Sequence, residues 1–377
     1  MKMKILVTGG AGFIGTHLAR YLLGKDCEVS ILDNFSPQVH GNVSDLPPDL
    51  ARDVTLYRAD VRDKDCLQRA VRGQNVVVHL AAETGTAQSM YEISRYEAIN
   101  IGGTANLVDL LVNDSSRTVS KLIVASSRAV YGEGKYHCNR DGVVFPHSRK
   151  REDMRSGQYE PRCPHCEQPC QVMPTSEESP FHSTSFYGLT KQVQEQMVVM
   201  FARVTGLSGC ALRYQNVYGP GQSLSNPYTG ILAIFANQAR ANQPIHVFED
   251  GYESRDFVYV EDVVEATWRC ILLPDSSVQV MNVGSGYRTT VAQVAREIVS
   301  VLASTSRIEI DGSFREGDVR HNYADVGKAR SLIGFEPRWK FRDGLQEFLR
   351  WAQSQELITS RYESSLLESR ERGILHA

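Results

Sequence analysis

Tyr187 and Lys191 stand four residues apart, a spacing that puts both side chains on one face of a helix. A tyrosine beside an ammonium is one way to build a base. The free phenol titrates near about 10, and a neighbouring cation favours the phenolate, which can take a hydroxyl proton. Ser127, in Ala125-Ser126-Ser127-Arg128-Ala129, follows an aliphatic run, where its hydroxyl could hold the reacting oxygen. Tyr-x-x-x-Lys arises by chance and does not stand alone. Its weight comes from Thr8-Gly9-Gly10-Ala11-Gly12-Phe13-Ile14-Gly15. Gly9 permits a sharp turn, Gly12 leaves room for a pyrophosphate, and Gly15 lets a helix pack close to a strand. Asp33, 18 residues beyond Gly15, can accept both ribose hydroxyls and would repel a 2′-phosphate, so NAD is expected over NADP. Asp60-Val61 could flank the adenine or sit on the surface. The chemistry implied is reversible hydride transfer at a hydroxyl-bearing carbon.

These groups need a sheet whose strands end beside one another. Short aliphatic runs at Ile5–Val7, Val29–Leu32, Val54–Tyr57, Val76–Leu80 and Leu122–Ala125 read as strands buried on both faces. Helix-like spacing lies between them at Phe13–Leu23, Lys64–Val71 and Tyr91–Val112. A helix from Ser185 to Val204 precedes a sixth strand at Gly209–Leu212. This alternation predicts an α/β fold with a doubly wound, Rossmann-like parallel sheet over residues 1–215. Residues 216–357 read mainly as a smaller α+β substrate lobe, some of whose elements return to the sheet. In it, helices are expected at Ile231–Ala241, Val260–Leu273, Val291–Leu302 and Phe341–Gln355, with strands at Ile245–Phe248 and Val278–Val283. Residues 358–377 are polar and expected to fray.

Composition excludes several alternatives. With 41 basic and 44 acidic residues the formal charge is −3, which argues against a nucleic-acid-binding surface. No apolar run is long enough for a membrane span, and the first residues break into glycine after three aliphatics, so a cytoplasmic location is expected. Eight cysteines in 377 residues are not a disulfide framework. Four of them, Cys138, Cys163, Cys166 and Cys170, fall within 133–174, which reads as a loop insertion without a core of its own. Cys163-Pro164-His165-Cys166 has the gap of a zinc knuckle, and Cys138 with Cys170 could complete four thiolates; the partner stretch, Cys138-Asn139-Arg140-Asp141, carries an aspartate in the distal place. Structural zinc, free thiols and a metal-free lid all remain open.

The chain resembles the extended short-chain dehydrogenases/reductases of the nucleotide-sugar epimerase/dehydratase group. The likeness spans about residues 3–350 outside the insertion, through Thr8–Gly15, His79–Glu83, Asn100–Thr104, Ser126–Gly132, Tyr187–Lys191, Arg213–Gly221, Arg255–Val263 and Arg315–Arg320. It implies a bound NAD, a nucleoside-diphosphate sugar between two lobes, and a homodimer built on the Tyr91–Val112 and Ser185–Val204 helices. It implies catalytic roles for Ser127, Tyr187 and Lys191. It implies cofactor contacts at Gly9, Gly12, Phe13, Ile14, Gly15, Asp33, Asn34, Asp60, Val61, Leu80, Ala81, Ala82, Tyr187, Lys191, Tyr214, Asn216 and Val217. For the substrate it implies Thr84, Ser127, Arg128 and Asn216, with Arg255 and Arg315 on the phosphates and Asp318 at the nucleoside ribose. Gln215 departs from the group's aromatic residue.

The 4,6-dehydratases of this group carry Asp and Glu after the serine, where this chain has Arg128 and Ala129. Neither can protonate a leaving hydroxyl, which points to 4-epimerisation through a 4-keto sugar. Within the group, His79–Ile93 and the Cys-Pro-His-Cys insertion are similar to the dTDP-L-rhamnose 4-epimerases. UDP-hexose or UDP-uronate 4-epimerases are the alternative. A silent NAD-binding scaffold is disfavoured by the intact trio.

Overall fold

The computed structural model describes residues 2–226, 228, 230–274, 277–357 and 362–376. Its centre is a seven-stranded sheet of β1 (Lys4–Thr8), β2 (Glu28–Asp33), β3 (Val54–Arg58), β4 (Val76–His79), β5 (Lys121–Ser127), β6 (Ser208–Tyr214) and β7 (Val278–Val283). The order is β7-β6-β5-β4-β1-β2-β3, and every pairing is parallel. The α-helices of eight or more residues in the first two hundred or so are α1 (Phe13–Leu23), α2 (Lys64–Val71), α3 (Gly103–Asn113) and α4 (Phe186–Thr205). Later come α5 (Ile231–Arg240), α6 (Val260–Ile271), α7 (Val291–Leu302), α8 (Phe341–Ser354) and α9 (Tyr362–Glu371).

The continuous aliphatic strands follow from helices on both sheet faces. Alternate residues of β1 serve opposite cores. Ile5 and Val7 join Leu18 and Leu22 of α1 and Val263 of α6, whereas Leu6 joins Leu67 of α2, Leu107 of α3 and Val198 of α4. The chain winds outward from β1 to β3 and then returns to the other side of β1 with β4. That reversal opens a crevice at the carboxyl ends of β1 and β4, the place where such sheets take ligands.

One of the elements expected to return to the sheet is identified, and three other local expectations change. Val278–Val283 is the edge strand of the main sheet, paired with β6 from Val278↔Gly209 to Val283↔Tyr214. Tyr91–Val112 is not one regular helix. A short helix at Ile93–Tyr96 and α3 are joined by a π-turn, Glu97–Gly102. The wide turn aims Asn100 at the loop after β4, where its amide accepts from Glu83 N (2.8 Å) and donates to Glu83 O (3.1 Å) and Thr190 Oγ1 (2.9 Å).

The insertion does have a core. Strands Tyr136–Cys138, Gly142–Val144 and Gln171–Val172 form an antiparallel sheet around Tyr136, Cys138, Val144, Cys163 and Cys170. Its buried side chains are thiols and a tyrosine at irregular spacing, so no apolar period announces it. Within the polar C-terminal segment, residues 362–376 also take regular structure. α9 is followed by a strand, Leu375–His376, antiparallel to Phe314–Arg315. Residues 358–361 and 377 lie outside the described residues. No helix among the described residues is long and apolar enough to cross a membrane.

Candidate active site

One cleft of about 1180 Å³ runs along the carboxyl ends of the strands, and every residue singled out above for cofactor, catalysis or substrate lines it. At one end β1 turns at Gly9, whose φ is +68° and where a Cβ would stand 2.7 Å from Ala81 N. A Cβ on Gly15 would meet Gly9 O at 2.5 Å, so α1 can approach the turn only without a side chain there. Gly12 caps α1 with no side-chain bond, leaving the first N–H groups of the helix for an anion.

Asp33 ends β2 and is buried; its oxygens accept from Ala11 N (3.0 Å) and Phe35 N (2.9 Å). Asn34 donates to Asp60 at 2.8 Å. Burial would raise the Asp60 carboxyl, but Arg62 and Asn34 hold it below the usual carboxylate range. Phe13, Ile14, Val61, Leu80, Ala81 and Ala82 are the apolar wall of this end. Tyr214 and Val217 reach it from β6 and the strand beyond. The Tyr214 hydroxyl is anchored on Thr267 Oγ1 at 2.7 Å, so only its ring is offered to the cleft. Gln215 beside it is buried, with its Oε1 lacking a partner.

The middle of the cleft holds the trio. Ser127 closes β5 and accepts from Ala129 N at 3.2 Å. Ser185 caps α4 by accepting from Gly188 N at 3.1 Å, and Tyr187 N donates to Ser89 Oγ at 3.0 Å, which places the phenol facing β5. Burial pushes the Tyr187 phenol up, while the Ser127 hydroxyl and the Arg128 guanidinium pull it partly back. Lys191 donates to Ala125 O at 2.9 Å, and burial brings it down to about 7. Arg128 therefore supplies a charge at the phenol that was expected from the Lys191 ammonium and the nicotinamide ring.

At the far end Arg128 Nε donates to Asn216 Oδ1 at 2.7 Å, and burial beside Arg255 brings this guanidinium down to about 10. Arg255 and Asp318, expected to contact separate parts of the substrate, are bonded to each other at 2.8 Å. Burial would raise the Asp318 carboxyl, but Arg255, Arg315, Arg128 and Arg149 outweigh it and hold it low. Arg315 lies over the Phe248 ring, 4.8 Å from its centroid. Thr84 stands exposed at the rim. Arg128, Arg255 and Arg315 share this end with the carboxyls of Asp318, Glu316 and Glu253, and burial pushes Glu253 up to about 8, so cationic charge remains in excess, suited to a diphosphate.

Sequence reasoning missed two supports. Glu195, on the same stripe of α4 as Tyr187 and Lys191, accepts from Ser126 Oγ (2.6 Å) and pairs with Arg213 (2.6 Å), tying α4 to the ends of β5 and β6. Its position eight residues after Tyr187 is the signal that could have found it. Tyr228 bonds to Tyr91 (3.0 Å) and to Glu368 of α9 (2.9 Å), and α9 brings Tyr362, Ser365 and Ser369 to the cleft. No local pattern marks those contacts.

Residues 5–284 match the family described as NAD dependent epimerase/dehydratase. A dTDP-L-rhamnose 4-epimerase of Burkholderia thailandensis is 36% identical over 358 residues, covering 94% of this chain and 96% of that protein. Among solved structures, a UDP-glucose 4-epimerase of Thermotoga maritima with UDP-glucose aligns with a TM-score of 0.75 and 30% identity, over 93% of this chain and 99% of the other. A UDP-glucose 4-epimerase of Thermus thermophilus in complex with NAD aligns with a TM-score of 0.74 and 26% identity, over 94% and 100%. The cleft fits that cofactor: the close approaches at Gly9 and Gly15 and the uncapped start of α1 are what a pyrophosphate needs. The chain belongs to the NAD-dependent epimerase/dehydratase family, as an NAD-using isomerase of its nucleotide-sugar epimerase kind.

Proposed function

We propose that the chain interconverts dTDP-L-rhamnose and dTDP-6-deoxy-L-talose by 4-epimerisation. The observation that carries the reaction type is the pair after Ser127. Arg128 puts a guanidinium near Tyr187 and Ala129 carries only a methyl, so no carboxyl at those two positions can expel water from the sugar. Tyr187 takes the 4-hydroxyl proton, Ser127 holds that oxygen, and Lys191 keeps a donor at the ring end of α4. NAD bound in the glycine-rich end supplies reversible acceptance of a hydride at C4. The 4-keto sugar turns over in the wide cleft, and Tyr187 returns the proton. Arg255 and Arg315 hold the diphosphate during that turn.

The substrate reading is supported by the 36% identical relative and by the small Thr84 at the rim, which suits a methyl-bearing sugar. The likeness to an epimerase solved with UDP-glucose favours a second reading, a UDP-sugar 4-epimerase. Purified protein mixed with dTDP-L-rhamnose, UDP-glucose or UDP-glucuronate, with no NAD added, separates them by NMR of the 4-epimers. Turnover of dTDP-L-rhamnose in preference to both UDP-sugars is expected. Faster turnover of a UDP-sugar transfers the assignment to it.

We also propose a homodimer through α4 and the segment preceding and including α3. Leu189, Met200 and Val204 of α4 and Ile93 and Val112 beside them are exposed apolar side chains on neighbouring helices. Light scattering on the eluting protein is expected to give twice the chain mass. A monomer mass at micromolar concentration removes the proposal.

A further inference from the structure

The insertion brings two turns face to face. In one, Cys138 ends a strand and Asp141 precedes Gly142, which begins the returning strand. In the other, Cys163 and Cys166 flank Pro164-His165, and the turn closes through Glu167 N to Cys163 O at 2.9 Å. Each turn offers one donor at its first residue and another three positions on. The four donor atoms lie within 4.8 Å of one another. Cys138 and Cys166 sulfurs are 3.5 Å apart, and Asp141 Oδ2 is 3.1 Å from the Cys163 sulfur and 3.6 Å from that of Cys138. His165 N points at the Cys163 sulfur from 3.4 Å.

These separations match the edges of a tetrahedron around one metal ion. Zinc–sulfur bonds of about 2.3 Å give sulfur–sulfur edges of roughly 3.8 Å. They do not match a disulfide, whose sulfurs stand about 2.05 Å apart. Three thiols and one carboxylate form a soft donor set that selects zinc over magnesium or calcium. All four positions are filled by the chain, which is the closed arrangement of a structural site. Asp141 belongs to the group of donors within that span and is taken as the fourth ligand; Cys170 adjoins the Cys138 and Cys163 thiols but stands outside the group, with its own thiol toward Gln168 O at 3.6 Å.

We propose that Cys138, Asp141, Cys163 and Cys166 bind one structural zinc ion that holds the insertion against the substrate end of the cleft. Binding displaces the three thiol protons to solvent and changes no oxidation state. The insertion also carries the residues that reach the other lobe. Arg149 bonds to Glu249 (2.8 Å) and to the Asp318 carbonyl (2.9 Å), Glu160 to Arg320 (2.8 Å) and His321 (3.1 Å), and Tyr159 to Gly312 O (3.2 Å). The zinc thus supports the backbone that carries Asp318, and through it Arg255. This consequence rests on the substrate end proposed above; the metal site itself does not.

The first test is elemental analysis of protein purified without chelator or a histidine tag, with one zinc per chain expected. Cobalt(II) exchanged into the site should show thiolate-to-metal charge transfer and the intense visible bands of tetrahedral coordination. Cys163→Ser and Asp141→Ala should lose the ion, whereas Cys170→Ser should keep it. In the metal-depleted protein KM should rise about tenfold, the scale of losing hydrogen bonds to charged groups, with NAD content and kcat within about twofold. The site is overturned if wild-type protein carries no zinc, takes none up from added Zn²⁺, and exposes its thiols to a thiol reagent equally with and without Zn²⁺. Loss of metal in Cys170→Ser but not in Asp141→Ala overturns the ligand set. Iron in place of zinc overturns the ion. The metal content, cobalt spectrum and thiol reactivity do not depend on which sugar is turned over; only the KM reading does.

Discussion

Tyr187→Phe is expected to lower kcat about a thousandfold while the purified variant keeps its NAD and its KM for the nucleotide sugar. Proton transfer by a positioned side chain contributes roughly 10²–10⁴ in rate, and removal of a single oxygen leaves the ring in place at the start of α4. Backbone bonds hold that position: Tyr187 N to Ser89 Oγ and Gly188 N to Ser185 Oγ are made without the phenol. Loss of folding is therefore not the expected route to inactivity. The same assignment fixes a pH dependence. Burial raises the Tyr187 phenol, so the deprotonated form grows with pH and kcat/KM should climb on the alkaline side of neutrality. The Arg128 charge favours the phenolate. Arg128→Met should move the climbing limb to higher pH by about one unit, the effect of ~1.4 kcal/mol between protonation states. A Tyr187→Phe variant that turns over at the wild-type rate would falsify the assigned base.

The parts of this site that could be read in advance are those set by short stretches of chain. Strand, glycine turn and helix follow one another within residues 4–23, and each is fixed by neighbours in sequence: the left-handed Gly9, the close pass at Gly15, the aliphatic run before them. Tyr187 and Lys191 were legible for the same reason, since one helix sets their relation. What escaped depends on contacts between distant residues. Arg255 and Asp318, 63 positions apart, were each assigned to the substrate, and the structure bonds them to each other. β7 reads like any short aliphatic strand, and only its register with β6 makes it part of the main sheet. α9 turns Tyr362, Ser365 and Ser369 inward, and serines give no apolar period to detect. The π-turn at Glu97–Gly102 is invisible in residue types, although it aims Asn100. In the insertion the spacing showed that Asp141 stood in a ligand's place, but distances were needed to choose it over Cys170.

Arg255→Met should raise KM about a hundredfold with a much smaller change in kcat. The guanidinium is nearly buried, donating from Nη1 to Ser254 O (3.0 Å) and Arg320 O (3.1 Å) and from Nη2 to Asp318 (2.8 Å). Its removal takes one cation from the diphosphate end and leaves the Asp318 carboxylate facing the incoming phosphates without its closest partner. Truncating one member of a buried, hydrogen-bonded charge pair costs about 2–5 kcal/mol, and a hundredfold corresponds to ~2.8 kcal/mol. The two components can be separated. If the stranded carboxylate is responsible for much of the loss, Asp318→Asn in the Arg255→Met background should restore part of the affinity, although Asp318→Asn alone weakens binding. Arg255→Lys keeps the charge but loses the planar fork and should fall between wild type and Arg255→Met. The loss should also shrink as salt is added, because wild-type attraction for the diphosphate is itself screened. If KM is unmoved in Arg255→Met while the melting temperature falls, the pair serves the fold and not the substrate. The cationic end of the cleft would then rest on Arg128 and Arg315.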